Sequence, residues 1–251
     1  MPVTAVVMGT VVAVRSLSPS FVTVSLAGCS GLETGGYDQR IKILLARPGQ
    51  DEPVLPPADN WYGAYREMPD DVRPVMRTFT IRAQQGEVID VEFALHGDTG
   101  PASAWARSAK PGSKLGIVGP EPSDEPKALQ YRPDGPDWQL LVADETALPA
   151  LTSIVENLPA GTDARVVVQV REPGDIREFG TAAELDVVWV VADDLAEAVR
   201  KVELPAGTPY AWVAGEAGVV REIRRYLTKE LGWESAPHYF GGYWKTGQSE
   251  G

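Results

Sequence analysis

The sequence predicts an antiparallel β-barrel followed by an α/β domain built on a doubly wound parallel sheet. Three observations predict it. Apolar residues in the first half recur with period two between Gly- and Pro-rich turns. In the second half, short apolar runs alternate with segments of helical spacing. A Pro- and acid-rich stretch, Gly119 to Asp137, separates the two rhythms. The expected domains are residues 1–125 and 126–251.

Each element has its own signal. Val6, Val7, Val11, Val12 and Val14 open the chain, interrupted by Met8, Gly9 and Thr10. They read as strand, because a signal peptide needs a basic segment and an unbroken apolar run. Val22, Val24 and Leu26 alternate with Thr23 and Ser25. Ile89, Val91, Phe93 and Leu95 alternate with Asp90, Glu92, Ala94 and His96. Residues 46–75, rich in Pro, Asp and Gly, are expected as a long surface excursion. Beyond the junction, Leu140–Ala143 reads as a buried strand. Thr146 stands where it can cap a helix reaching about Leu158, with Pro149 in the first turn, where a missing N–H costs little. Val166–Val170, Val187–Val191 and Ala211–Ala214 supply further strands, with a helix from about Leu195 to Val202. Val219, Val220, Ile223, Tyr226, Leu227 and Leu231 mark a last helix by their spacing. Strands that alternate with helices need crossovers, and crossovers make the sheet parallel.

Composition narrows the function. At 251 residues and 43% hydrophobic, the chain can bury two ordinary cores. Its net charge of −12 argues against nucleic acid and against an anionic membrane surface, since both need a basic face. The single cysteine, Cys29, can form no internal disulfide, which fits a reducing compartment. No apolar stretch approaches the ~20 residues of a membrane span. A soluble, cytoplasmic protein is expected, with no resident metal.

Two constellations carry chemistry. In Arg77-Thr78-Phe79-Thr80, a strand puts Arg77 and Phe79 on one face and Thr78 and Thr80 on the other. A guanidinium binds a pyrophosphate bidentately, and an aromatic ring packs on a planar heterocycle. An ordinary strand with a surface arginine reads the same way. The second constellation is His96-Gly97-Asp98-Thr99-Gly100-Pro101-Ala102-Ser103, which ends a strand and opens a helix through Trp105. A helix start offers N–H groups and a positive dipole end to phosphate. A capped helix after a glycine turn is the plain alternative.

Together, in the order strand, turn, strand, helix, these elements resemble the ferredoxin-reductase-like flavoproteins. The strings "IDVEFALHGDTGPASAWARSAKPGSKLGIVGP", "DETALPAL", "WVAGEAGVVREIRRYL" and the terminal "GYWKTG" resemble, more narrowly, the siderophore-interacting proteins, the branch of ferric-siderophore reductases. The resemblance spans nearly the whole chain. It implies an FAD-binding barrel and an NAD(P)H-binding α/β domain. Arg77, Phe79 and Thr80 would hold FAD, with Thr78 helping through its backbone. His96, Gly97, Gly100, Pro101, Ala102 and Ser103 would take the diphosphate and ribityl side, and Thr146 is a further cofactor candidate. Asp144, Glu145, Thr146, Ala147, Leu148 and Pro149 match the nicotinamide-side loop. This loop lacks the glycines of a G-x-G-x-x-G fingerprint, so the dinucleotide follows from the resemblance and not from the spacing. Gly215 and Glu216 end a later strand and should line the same cleft.

The implied activity is electron transfer from NADH or NADPH through FAD to Fe(III) in a siderophore. The flavin carries the chemistry, so no protein acid or base is obligatory. Lys42 and Lys245 are the candidates for holding an anionic siderophore. Tyr243 and Trp244 are candidates for covering the flavin or simply for packing a last strand. Glu121 stands after Gly119-Pro120, where many relatives carry a basic residue; with the acidic net charge this favours a less charged siderophore. Arg171 follows a strand where a 2′-phosphate would bind, but Glu172 adjoins it. The other readings are a ferredoxin-type reductase with a protein electron partner and a siderophore carrier without turnover.

Overall fold

The computed structural model describes residues 4–95, 100–122, 129–234 and 237–247. It divides into two compact units, the first running to Leu129 and the second beginning at Gln130. Among the described residues no helix is long and apolar enough to cross a membrane.

The first unit is a seven-stranded antiparallel sheet curled into a half-barrel. Its strands are β1 (Thr4–Ser18), β2 (Phe21–Ala27), β3 (Arg40–Leu45), β4 (Val75–Thr80), β5 (Ala83–Gln85), β6 (Val88–Ala94) and β7 (Lys114–Pro120). They lie in the order β4-β3-β7-β1-β2-β6-β5. The two edge strands, β4 and β5, are consecutive in the chain. The corner Ile81–Arg82 joins them, and the Arg82 N–H continues the β5–β6 ladder by donating to the Asp90 carbonyl (2.8 Å). The period-two residues all turn inward: Val24, Leu26, Ile89, Val91 and Phe93 are fully buried in one core. Each such side chain contributes about 1.5–3 kcal/mol relative to exposure, and this fixes the register. Cys29 lies in the same core as a free thiol; burial first, then the charge of Glu87, pushes its pKa up to about 11.

The excursion 46–75 is more than surface chain. It contains helix α1 (Trp61–Glu67), whose Tyr65 is buried against Leu44 and Val118 on the outer face of the sheet. The Tyr65 hydroxyl donates to the Pro74 carbonyl (3.1 Å), pinning the residue that precedes β4. Leu55 presses on β7 where the chain has Gly116; a Cβ there would stand 2.3 Å from Leu55 Cδ2. Period-based reading missed this helix because its seven residues are too short for a repeat and sit among turn formers. Helix α2 (Pro101–Ser108) follows β6 and packs Ala106 into the barrel core.

The second unit is a five-stranded parallel sheet in the order β10-β9-β8-β11-β12. The strands are β8 (Trp138–Ala143), β9 (Asp163–Val170), β10 (Glu184–Val191), β11 (Pro209–Glu216) and β12 (Tyr239–Trp244). Helix α3 (Leu148–Glu156) links β8 to β9, α4 (Leu195–Lys201) links β10 to β11, and α5 (Ala217–Arg225) links β11 to β12. Leu140, Val142, Val167, Ala211 and Val213 pack against α4 and α5. The alternate residues Leu141, Val166, Val168 and Trp212 are buried on the other face. The chain leaves β8 toward β9 and returns to β8's other side at β11, so the strand order reverses between β8 and β11. In open α/β sheets a ligand crevice forms at that reversal, beyond the carboxyl ends of the strands.

Candidate functional site

In the first unit β4 is an edge strand, so one row of its backbone groups is not engaged by a neighbouring strand. Register puts Arg77 opposite Ile43 and Phe79 opposite Ile41, on the core-facing side. Phe79 is half-buried, with its ring 4.5 Å from that of Phe93, which in turn lies 5.5 Å from Trp105 of α2. This aromatic run ties the Arg77 strand to the middle of α2. Arg77 donates from Nη1 to the Met76 carbonyl (2.7 Å) and pairs with no carboxylate among the described residues.

The start of α2 is equally unfinished. Gly100 caps it in an extended conformation with no side-chain hydrogen bond, and Pro101 occupies the first turn. Ser103 is 4% exposed, and its hydroxyl has no hydrogen-bond partner among the described residues. A buried orphan hydroxyl costs about 1–3 kcal/mol unless something satisfies it. An arginine that meets no carboxylate, a helix start without a side-chain cap and a buried hydroxyl without a partner, each judged among the described residues, are donors of the kind a diphosphate takes. His96 and Gly97 lie outside the described residues.

Lys42 lies on the opposite face, cross-strand from Thr78. Its ammonium donates to the Thr78 hydroxyl (2.5 Å), so it reaches the Arg77 strand itself. Thr80 shares that face and is buried.

In the second unit Asp144 organises the strand ends at the order reversal. It follows β8 and is 4% exposed. Its Oδ1 accepts from the Thr146 N–H (2.8 Å), the Thr146 hydroxyl (2.6 Å) and the Ala147 N–H (3.3 Å). Its Oδ2 accepts from the Glu216 N–H (2.8 Å) and the Trp244 indole N–H (2.7 Å). One carboxylate therefore ties the ends of β8, β11 and β12. Burial pushes its pKa above the usual aspartate range, outweighing the donors from Thr146, Trp244 and Glu216 that pull it down. Gly215 makes the approach possible: its φ is +150°, and a Cβ there would stand 2.6 Å from Asp144 Oδ2. Burial raises the Glu216 carboxyl, but N–H donors from Thr246, Val219 and Gly218 hold it below its ordinary value. Its Oε2 caps α5 through Gly218 and Val219.

Hydrogen bonds and close approach gather Asp144, Thr146, Ala147, Gly215 and Glu216 at the ends of β8 and β11, with one correction. Thr146 does not cap the helix: α3 begins at Leu148 behind Ala147, and the Thr146 hydroxyl is taken by Asp144. Leu148 and Pro149 are buried in the first turn of α3. Trp244 is 42% exposed but its indole is anchored to Asp144. Tyr243 packs edge-on against Trp212 (6.4 Å). Lys245 is exposed just past β12. Lys42 belongs to the first unit and Lys245 to the second. The sequence reading missed the Asp144–Trp244 bond and an ion pair from Arg171 to Glu145 (2.6 Å). An acid closing a fully apolar strand, as in Leu140-Leu141-Val142-Ala143-Asp144, was the signal available for the first.

An antiparallel barrel followed by a parallel sheet is also the fold of the ferredoxin reductase of carbazole 1,9a-dioxygenase, at 16% identity and a TM-score of 0.66 over 95% of this chain and 67% of that one. Residues 10–124 match the siderophore-interacting FAD-binding domain, and residues 136–247 match the siderophore-interacting protein model. The chain belongs to the siderophore-interacting protein family. It is similar to the siderophore-interacting protein SipS from Aeromonas hydrophila, with 32% identity, a TM-score of 0.80, and coverage of 99% of this chain and 94% of that one. It is 31% identical to the ferric vibriobactin reductase ViuB of Vibrio cholerae over 71% of this chain and 67% of that protein. It is 28% identical to the NADPH-dependent ferric-chelate reductase of Escherichia coli over 88% of this chain and 86% of that one.

Proposed function

We propose that this protein is an FAD-dependent reductase that takes electrons from NAD(P)H and delivers them to Fe(III) held by a siderophore. The observation that carries the reading lies in the first unit, where among the described residues Arg77 meets no carboxylate, α2 has no side-chain cap and Ser103 is buried without a hydrogen-bond partner. Bound FAD supplies the conversion between a two-electron hydride donor and a one-electron ferric acceptor. Arg77, Gly100, Pro101, Ala102 and Ser103 would hold its diphosphate, with Phe79, Thr78 and Thr80 on the adjoining strand and His96 and Gly97 as further candidates. Asp144 fixes the nicotinamide-side loop, with Gly215 and Glu216 forming the opposite lip of the crevice. Fe(II) binds hard oxygen ligands more weakly than Fe(III), so reduction releases the iron.

The test is a cofactor and acceptor screen on purified protein. Mass analysis of the released flavin is expected to give FAD and not FMN, because a mononucleotide has no use for a diphosphate clamp. NAD(P)H oxidation is expected to depend on added ferric siderophore, with two ferric ions reduced per nicotinamide oxidised. Native FMN would remove the clamp. A protein that takes up no flavin yet binds ferric siderophore would be a carrier, and oxidation dependent on a ferredoxin instead would mark a protein electron partner.

Substrate capture falls to Lys42 and Lys245. A protein of net charge −12 repels an anionic iron complex, so recruitment needs local positive charge. Lys42→Ala and Lys245→Ala are each expected to raise KM for ferric siderophore more than they lower kcat, with FAD occupancy unchanged. Salt should raise the wild-type KM more than that of the double variant, because screening limits the field to ~8 Å at physiological ionic strength. Wild-type kinetics in both single variants would sink the assignment.

A further inference from the structure

We infer that Glu145 and Arg171 together decide whether the nucleotide of the second unit carries a 2′-phosphate, with Glu145 occupying the arginine until a phosphate displaces it. The inference rests on reading the second unit as the nicotinamide-nucleotide site.

Position comes first. In a doubly wound sheet the dinucleotide crosses the order reversal, and a residue closing the strand next to the first one stands beside the adenosine ribose. Here the first strand is β8 and its neighbour is β9, paired in parallel with Ala143 opposite Val168. Arg171 is the residue immediately after β9, and Glu145 the second residue after β8. Their side chains meet across the two strand ends, with Arg171 Nη2 2.6 Å from Glu145 Oε1.

Chemistry gives the direction. A guanidinium is a planar fork suited to a phosphate, and a carboxylate is the anion that most nearly stands in for one. The Arg171 side chain is 45% exposed and can be reached from solvent, while that of Glu145 is 18% exposed and held close to the crevice. Glu145 follows Asp144, the hub of the crevice, so its backbone is fixed where the loop is fixed. A 2′-phosphate entering here has to replace Glu145 and must tolerate Glu172, which is exposed beside Arg171. A nucleotide with a plain 2′-hydroxyl leaves the ion pair intact. The pair therefore narrows the advantage of a phosphorylated nucleotide.

Calorimetric titration of the FAD-loaded protein with adenosine 2′,5′-bisphosphate and with AMP tests this without turnover. Arg171→Ala is expected to weaken the bisphosphate by roughly 10- to 100-fold, as for hydrogen bonds to a charged group, and to leave AMP unchanged. Glu145→Gln is expected to tighten the bisphosphate about two- to fivefold, the worth of an exposed ion pair that no longer competes, again without effect on AMP. A bisphosphate-to-AMP affinity ratio that is the same in all three proteins would overturn the inference while leaving the nucleotide site standing. Failure of both ligands to bind any of the proteins would overturn the nucleotide reading and the inference with it.

Discussion

Asp144→Asn is expected to destabilise the second unit by about 2–5 kcal/mol, although the side chains are nearly isosteric. The carboxylate is met only by donors: three at Oδ1 and two at Oδ2. An asparagine keeps one oxygen and turns the other into an NH2 group. Either rotamer then faces at least two buried N–H or O–H groups with a donor, and each unsatisfied buried donor costs about 1–3 kcal/mol. The Glu216 and Trp244 donors arrive from β11 and β12, so losing them loosens the crevice lip and the last strand together. Gly215→Ala should act at the same point, since its Cβ would stand 2.6 Å from Asp144 Oδ2 at a φ that L side chains rarely adopt. Denaturant unfolding followed by far-UV circular dichroism measures both. Wild-type stability in Asp144→Asn would mean that the five donors have other acceptors. The pH profile carries a sign as well. Burial holds the folded pKa of Asp144 above its unfolded value, so its titration contributes stability at the acid end. That contribution is lost as pH rises from the ordinary aspartate pKa through the raised folded one. Asparagine cannot titrate, so the gap between wild type and variant should narrow over that rise.

What the sequence made legible follows from what each signal encodes. Period-two alternation in β2 and β6 is a direct record of one buried and one solvated face, and Val24, Leu26, Ile89, Val91 and Phe93 are buried accordingly. The apolar runs of β8, β9 and β11 are buried on both faces, as parallel strands are. Less legible were contacts between side chains distant in sequence. Trp244 lies one hundred positions from Asp144, and neither residue type announces the bond. Thr146 is a good N-cap by type, but a carboxylate two residues earlier captured its hydroxyl, a competition that propensity does not weigh. The Arg77 strand and the α2 start were visible as separate segments. Their association depends on the Phe79–Phe93–Trp105 run, which needs the fold.

Arg77→Ala is expected to weaken FAD binding by about 1.5–3 kcal/mol, roughly 10- to 150-fold in Kd, while the apoprotein stays as stable as wild type. The asymmetry follows from what Arg77 does without a ligand. Its side chain donates to the neighbouring Met76 carbonyl, and among the described residues no carboxylate pairs with it. Deleting it removes little from the apo fold, but it removes the fork that meets a diphosphate. Ser103 sharpens the test because its hydroxyl is buried with no partner among the described residues. Ser103→Ala should leave the apoprotein unchanged or slightly more stable, by relieving an unsatisfied polar group, and should weaken FAD by about 0.5–1.5 kcal/mol. A structural role predicts the reverse in both variants: lost apo stability with FAD affinity intact. Flavin fluorescence titration of apoprotein, paired with thermal unfolding of the same samples, separates the two outcomes. If Arg77→Ala binds FAD with wild-type affinity, the unpaired guanidinium serves something other than the diphosphate, and the clamp reduces to the start of α2.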